Sequence, residues 1–237
     1  MRYAIALLLG ATLAIPAQAQ NAPAAKTVQD ARQAKVEQAI AKIRASDPTG
    51  AIAIIDPVLA DFDREYPASG PGVLCASDSS EVLMGLLTSA AAKKDAVALS
   101  DTWCYALWAK GYSLVELGRL DEAIAPLTRA TVMMPGNSQF HTELGYVHQS
   151  LKHWKESHAA YAAAAEAAQS MKDEKTRNVA LRRAWFGLGY NEIELGQFDA
   201  AEKHMKQALA VAPGDQKIID ELEYIRQQKA KAKGKNN

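Results

Sequence analysis

Cys104-Tyr105-Ala106-Leu107-Trp108-Ala109-Lys110-Gly111-Tyr112-Ser113-Leu114-Val115-Glu116-Leu117-Gly118-Arg119-Leu120-Asp121-Glu122-Ala123 opens a stretch that the chain repeats twice. Laid under it without gaps, the segment from Ser138 carries Leu144-Gly145-Tyr146, Trp154 and Tyr161. The segment from Arg182 carries Trp185, Leu188-Gly189-Tyr190, Gly196, Phe198, Ala201, Ala208 and Pro213. Gly111, Gly145 and Gly189 fall on one position, 34 and then 44 residues apart. A glycine inside a helix costs roughly 1 kcal/mol against alanine, and that cost is tolerable where two helices must approach closely. Ala123, Ala130, Ala164, Ala201 and Ala208 are small residues suited to the same approach. Gly118 and Gly196 stand where a first helix ends and φ often turns positive. Pro135 and Pro213 stop the second helix.

The segments resemble the tetratricopeptide repeat family, whose period is 34 residues. The W-x-x-L-G pattern is intact at Trp185, Leu188 and Gly189. The resemblance covers Cys104 to Asp215, as repeats at 104–137, 138–171 and 182–215 with an insert at 172–181. It implies an all-α, helix-turn-helix solenoid with a concave groove. Some positions depart from the family pattern. Lys110 replaces a buried leucine, which implies loose packing there. His141 and His148 replace large aromatics and are expected in the core. Lys152 replaces the turn glycine and Ser157 a small alanine. The insert is expected to lengthen two helices by about five residues each, near 7 Å, and to protrude as a spur around Lys172 to Thr176; a plain loop is the alternative.

Residues 20–103 read as a helical region containing a degenerate repeat. Val36, Ile40 and Ile43 mark one helix, and Asp47-Pro48 opens another with Ile52, Ile55, Leu59 and Phe62 inward. Tyr66 to Ser77 is rich in proline and glycine and reads as a loop. Asp78-Ser79-Ser80-Glu81 resembles a capping box, opening a helix with Val82, Leu83, Leu86 and Leu87. Asp95 to Thr102 is expected to prolong the helix that starts the first clear repeat. Residues 216–228 form a capping helix, with Ile218, Ile219, Leu222 and Ile225 on one stripe. The basic tail, 229–237, reads as solvated and fraying.

At the other end, Arg2, the apolar run from Ala4 to Ile15 and Ala17-Gln18-Ala19 have the layout of a secretory signal peptide, 1–19. The run is too short for a membrane span, which needs about 20 residues, so no transmembrane anchor is expected. The product would lie in the periplasm of a Gram-negative source. The chain has 27 basic and 27 acidic residues, and this balance gives no argument for nucleic acid or for a membrane surface as partner. Cys75 and Cys104 are the only cysteines. An exported chain in an oxidising compartment is expected to join them; two buried free thiols are the alternative.

No motif for chemistry is present. None of the five histidines pairs at i, i+4, and there is no G-x-S-x-G, phosphate-cradling loop or C-x-x-C. No catalytic residue, metal or cofactor is expected, although an enzyme with an unrecognised site stays open. The family resemblance points instead to groove positions on each first helix. These are Tyr105, Gln139 and Arg183; Trp108, Thr142 and Phe186; and Tyr112, Tyr146 and Tyr190. Stacked repeats should present the aromatics as a ladder, and tyrosine and tryptophan dominate binding hot spots. The lysine and asparagine set with which the family's best-known groove holds an acidic C-terminus is missing. A protein or peptide of apolar or mixed character is therefore the expected partner. The alternative is a structural helper of a larger envelope complex that acts through its convex face, spur or tail.

Overall fold

The computed structural model describes residues 22–234; the leader read at 1–19 and the last three residues of the tail lie outside the described residues. The described chain forms α1 (Ala22–Arg44), α2 (Pro48–Glu65), β1 (Gly72–Ala76), α3 (Ser79–Ala91), β2 (Ala96–Ser100), α4 (Thr102–Glu116), α5 (Leu120–Met133), α6 (Ser138–Ser150), α7 (Trp154–Gln169), α8 (Glu174–Glu194), α9 (Phe198–Val211) and α10 (Gln216–Gly234). The fold is all-α in class, a solenoid of helix pairs with one small parallel sheet.

One turn geometry recurs along it. Gly118 and Gly196 both have φ of 71°, and Lys152, at the same repeat position, has φ of 60°. The N–H of Gly118 bonds to the Val115 carbonyl at 2.9 Å and that of Arg119 to the Leu114 carbonyl at 2.8 Å. This double closure satisfies carbonyls that the helix end leaves open. The turn between α1 and α2 repeats it. Ser46 has φ of 58°, its N–H bonds to Ile43 O at 2.9 Å, and Asp47 N–H bonds to Lys42 O at 2.9 Å. A side chain in the left-handed region costs roughly 1–2 kcal/mol, so Lys152 and Ser46 are held there by the packing on either side.

That packing starts from the small residue seven positions ahead of each turn. A Cβ on Gly111 would lie 2.5 Å from Leu127 Cγ, one on Gly145 3.0 Å from Tyr161 Cγ, and one on Gly189 3.0 Å from Met205 Cε. In each pair the partner comes sixteen residues later, on the second helix. Counted back from Ser46, the same offsets give Ala39 and Ile55, both fully buried. Five residues after each turn stand Ala51, Ala123, Ser157 and Ala201, all fully buried. The α1–α2 pair thus shares the repeat geometry with alanine in place of glycine, and α2 packs directly on α4.

Between α2 and α4 the chain leaves the solenoid. Ala96–Ser100 is a strand, not a prolongation of α4, and pairs in parallel with Gly72–Ala76 inside the expected loop, placing Val73 opposite Val97 and Cys75 opposite Leu99. Its alanines favour helix, but Lys93 at φ 54° ends α3, and β1 offers an edge for pairing, so tertiary context overrides propensity. Cys75 on β1 is joined to Cys104 on α4 by a disulfide.

Other expectations are also corrected. The insert is asymmetric: α7 stops at Gln169, while α8 starts at Glu174, eight residues ahead of Arg182. Asp173 accepts from Thr176 N–H at 2.8 Å, and this cap starts α8 at once in place of a symmetric spur. The tail is solvated as expected at Ala230 to Ala232 but stays helical to Gly234, its start tied to α9 where Lys229 bridges Asp199 at 2.6 Å and Glu202 at 2.7 Å. Ile219 is exposed, off the buried stripe of Ile218 and Ile225. Lys110 is not loosely packed; it ties α4 to α2 through Asp56 at 2.8 Å. His141 and His148 are half-buried, and burial pushes both below the usual histidine range.

Two stability predictions follow from this packing. Gly111→Ala sets a methyl against the buried body of Leu127, and overpacking costs about 1–3 kcal/mol, more than the roughly 1 kcal/mol that the helix gains. Gly189→Ala meets the unbranched Met205 side chain at 3.0 Å or more, which can give where Leu127 at 2.5 Å cannot, so the gain prevails. Thermal melts should therefore fall for the first variant and hold or rise for the second. Reduction of the disulfide, or the double change Cys75→Ser with Cys104→Ser, releases a loop of 29 residues' separation. The chain-entropy cost is about 3–4 kcal/mol, visible as a lower melting midpoint in reductant.

Candidate functional site

Side chains pointing off the first helices meet across the concave side. α1, α4, α6 and α8 enclose a groove of roughly 1020 Å³. Of the nine groove positions expected from the sequence, Tyr105, Trp108, Tyr112, Gln139, Thr142, Tyr146, Arg183 and Phe186 line it, whereas Tyr190 does not. Tyr190 packs instead against the cluster of Ile193, Met205, Ile218 and Ile225 under α10. The capping helix supplies this apolar surface and draws the ring away, which shortens the expected ladder.

The floor is aromatic. Tyr105 meets Phe140 edge-on at 5.3 Å and Trp108 at 6.3 Å, and Trp108 lies 5.4 Å from Tyr112. Trp108 is only 8 % exposed and holds the floor rigid, while Tyr146 is 47 % exposed and stands free on the wall. Burial pushes the Tyr105 and Tyr112 hydroxyls above their usual range, so both stay neutral donors at any physiological pH. The Trp108 indole N–H is buried and has no acceptor among the described residues, so Trp108 meets the groove through its ring and not through its N–H.

At the α8 end the charges of the groove are paired, while Arg44 on α1 and Glu116 on α4 line it exposed and without an ion pair among the described residues. Arg183 bonds to buried Glu143 at 2.9 Å. Arg182 bonds to Asp215 at 2.7 Å and lies over the Phe186 ring at 5.0 Å. Thr142 spends its hydroxyl on the Ser138 carbonyl at 2.9 Å. Beside the wall runs a buried polar chain: Gln149 donates to Asn191 Oδ1 at 2.8 Å, Asn191 Nδ2 donates to Ser157 Oγ at 2.8 Å, and Ser157 donates to the Gly145 carbonyl at 2.9 Å. Ser157, which departs from the family's alanine, links α6, α7 and α8 through this chain.

Several lining residues were missed by the sequence reading. Ile40, Ile43 and Arg44 come from α1. Repeat offsets counted from Ser46 would have placed Ile40 level with Tyr112 and Ile43 level with Val115. Tyr161 also lines the groove, from a second helix. Its ring is gripped between Gly145 and Gly187, where an added Cβ would lie 3.0 Å from Cγ and 2.4 Å from Cζ. Among the described residues, no group of three or more His, Cys, Asp or Glu side chains is placed to hold a metal.

The comparisons with known proteins agree with this geometry. A sequence model of the tetratricopeptide repeat matches residues 182–215. Residues 182–215 are thus a tetratricopeptide repeat, set in a chain with the fold of a tetratricopeptide-type solenoid. No curated protein matches the chain. Among solved structures it is similar to MamA, with a TM-score of 0.59 at 14% identity over 84% of this chain and 82% of that one. It is also similar to MamA from Desulfovibrio magneticus RS-1, with a TM-score of 0.56 at 16% identity over 86% and 88%. The first tetratricopeptide domain of Spaghetti (RPAP3), solved with an HSP90 peptide, SRMEEVD, matches with a TM-score of 0.50 at 21% identity, over 56% of this chain and 97% of that one. At such identities the likeness is one of fold.

The polar chain gives its own test. Asn191→Leu removes the hub between Gln149 and Ser157, and loss of a buried hydrogen-bonded group costs about 1–3 kcal/mol. Gln149 keeps the Gly187 carbonyl at 3.3 Å and Ser157 keeps Gly145, so the loss should fall at the low end in denaturant titration.

Proposed function

We propose that the chain is an exported binding module that holds an extended protein or peptide segment of apolar or mixed character in its concave groove. The observation that carries this reading is the aromatic floor of Tyr105, Trp108 and Tyr112, open to a groove in which Arg182 and Arg183 are already paired. A segment entering there gains apolar contact, and Arg182, Arg183 and Glu143 ask no countercharge of it because they are already paired. A doubly acidic tail, of the kind seen in the HSP90 peptide on Spaghetti (RPAP3), would find Arg182 and Arg183 already paired. Export is supported by the leader-like Arg2-to-Ala19 stretch and by the joined cysteines, and it places the work in the periplasm of a Gram-negative source. An assembly or secretion accessory role in the cell envelope fits such a module. No described helix is long and apolar enough to cross a membrane.

The test is capture by crosslinking from an envelope extract, followed by titration of the strongest partner. Trp108→Ala, Tyr112→Ala and Tyr146→Ala, each checked for fold by circular dichroism, should lose about 2 kcal/mol of binding at a central anchor, roughly thirtyfold in affinity. Folded variants that retain every partner would overturn the groove as the site. Loss only on deletion of the chain after Gln228 would move binding to the C-terminus.

A further inference from the structure

The excursion between α2 and α4 leaves one face of α3 uncovered. Val82, Gly85 and Ser89 turn inward and are half-buried, and Gly85 sits so close to the sheet that a Cβ would lie 2.9 Å from Leu74 Cδ1. The opposite side carries Leu83, Met84 and Leu87, which are 61 %, 66 % and 55 % exposed, followed by exposed Ala90 and Ala91. Among the described residues no other helix presents large apolar side chains so exposed over two successive turns, and neither the groove nor the repeat stack uses them.

The order of residues along this face says what fits it. Leu87 lies at the middle. The bulky pair, Leu83 and Met84, is on its N-terminal side, and the small pair, Ala90 and Ala91, is on its C-terminal side, at matching distances along the axis. A second α3 laid antiparallel, with a two-fold axis beside Leu87, puts Leu83 over Ala90 and Met84 over Ala91 of its mate. A parallel mate would set bulk on bulk and leave a gap between the alanines. The helix ends agree. Antiparallel pairing brings the Lys93-Lys94 end of one helix beside the Asp78–Glu81 end of the other, and it opposes the two helix dipoles. We propose that α3 is a self-association surface, at which two copies of this chain pair through antiparallel α3 helices about a two-fold axis at Leu87. An isologous contact of this kind is the commonest way for a soluble protein to close a dimer. One short helix per copy is a small interface, so the dimer is reversible and depends on concentration. It also leaves both grooves open, because α3 lies outside the groove lining.

Sedimentation velocity on the protein purified from cells expressing the full chain should show a monomer that shifts to a dimer as concentration rises. Leu87→Glu, with unchanged circular dichroism, should hold it monomeric. Cysteines introduced one at a time and oxidised with copper phenanthroline report the direction of pairing. Leu87→Cys should crosslink to its own copy. Ser80→Cys should not, because antiparallel copies place those residues roughly 21 Å apart along the axis. A mixture of Ser80→Cys and Lys94→Cys proteins should crosslink. A wild-type monomer at every concentration, without Leu87→Cys crosslinking, overturns the proposal. So does Ser80→Cys crosslinking to itself, which means parallel pairing. Cosedimentation of a monomer with anionic lipid vesicles, lost in Leu87→Glu, would assign the face to a membrane surface instead and equally overturn it.

Discussion

The structure depends on how closely the two helices of each pair can approach. Ala39, Gly111, Gly145 and Gly189 present nothing larger than a methyl to Ile55, Leu127, Tyr161 and Met205. With the helices that near, the turn between them has room for only a few residues. The left-handed residue at 46, 118, 152 or 196 is what lets so short a turn close. The short turn then fixes where the next pair starts, and stacked pairs bury a continuous core. The cost of a mid-helix glycine and of a left-handed lysine is small, about 1–2 kcal/mol each. The methyl and aromatic contacts on either side recover it, since burying one large apolar side chain is worth about 1.5–3 kcal/mol.

How much of this could be read in the sequence follows from which residue carried each signal. Gly111, Gly145 and Gly189 are visible because glycine within an apolar helix pattern has no other ready explanation, and the three clear repeats were legible from them. The α1–α2 pair showed only as a degenerate repeat, because Ala39 and Ser46 do the same physical work with residues that carry no such mark. Gly187 went unread, since its partner, Tyr161, belongs to a different repeat and no in-register comparison points to it. Of the βαβ excursion only α3, from its cap at Asp78, and the Cys75–Cys104 pairing could be read; the two strands could not. Ala96 to Ser100 has little strand character of its own, and its conformation comes from pairing with β1, which is remote in sequence.

The disulfide gives that excursion its role in the fold. A two-stranded sheet with one covering helix buries little apolar surface and is marginal by itself. Cys75 sits on β1 and Cys104 in the first turn of α4, so the bond anchors the unit to the core cluster that holds Trp103, stacked on Phe62 at 4.9 Å. The bond thus ties an otherwise weak appendage to the solenoid. In a reducing setting α3 would lose its support, and with it the orientation of its exposed leucines.

The candidate site was legible in its residue types and less so in its extent. Offsets from the resemblance reached eight of the lining residues, but nothing in the pattern said that α1 would wall one end or that α10 would claim Tyr190 at the other. Those two ends set the size of what can bind. Four neighbouring helices, α1, α4, α6 and α8, packed at roughly 8–10 Å intervals, give a groove about 25–30 Å long. An extended chain advances about 3.3 Å per residue, so roughly eight residues fill it. With the aromatic floor toward the α1 end and the paired arginines toward the α8 end, a segment held as proposed would have a direction. Its bulkiest apolar side chains would lie over Tyr105, Trp108 and Tyr112, and its more polar end beside Arg183, where Glu143 has already taken the charge.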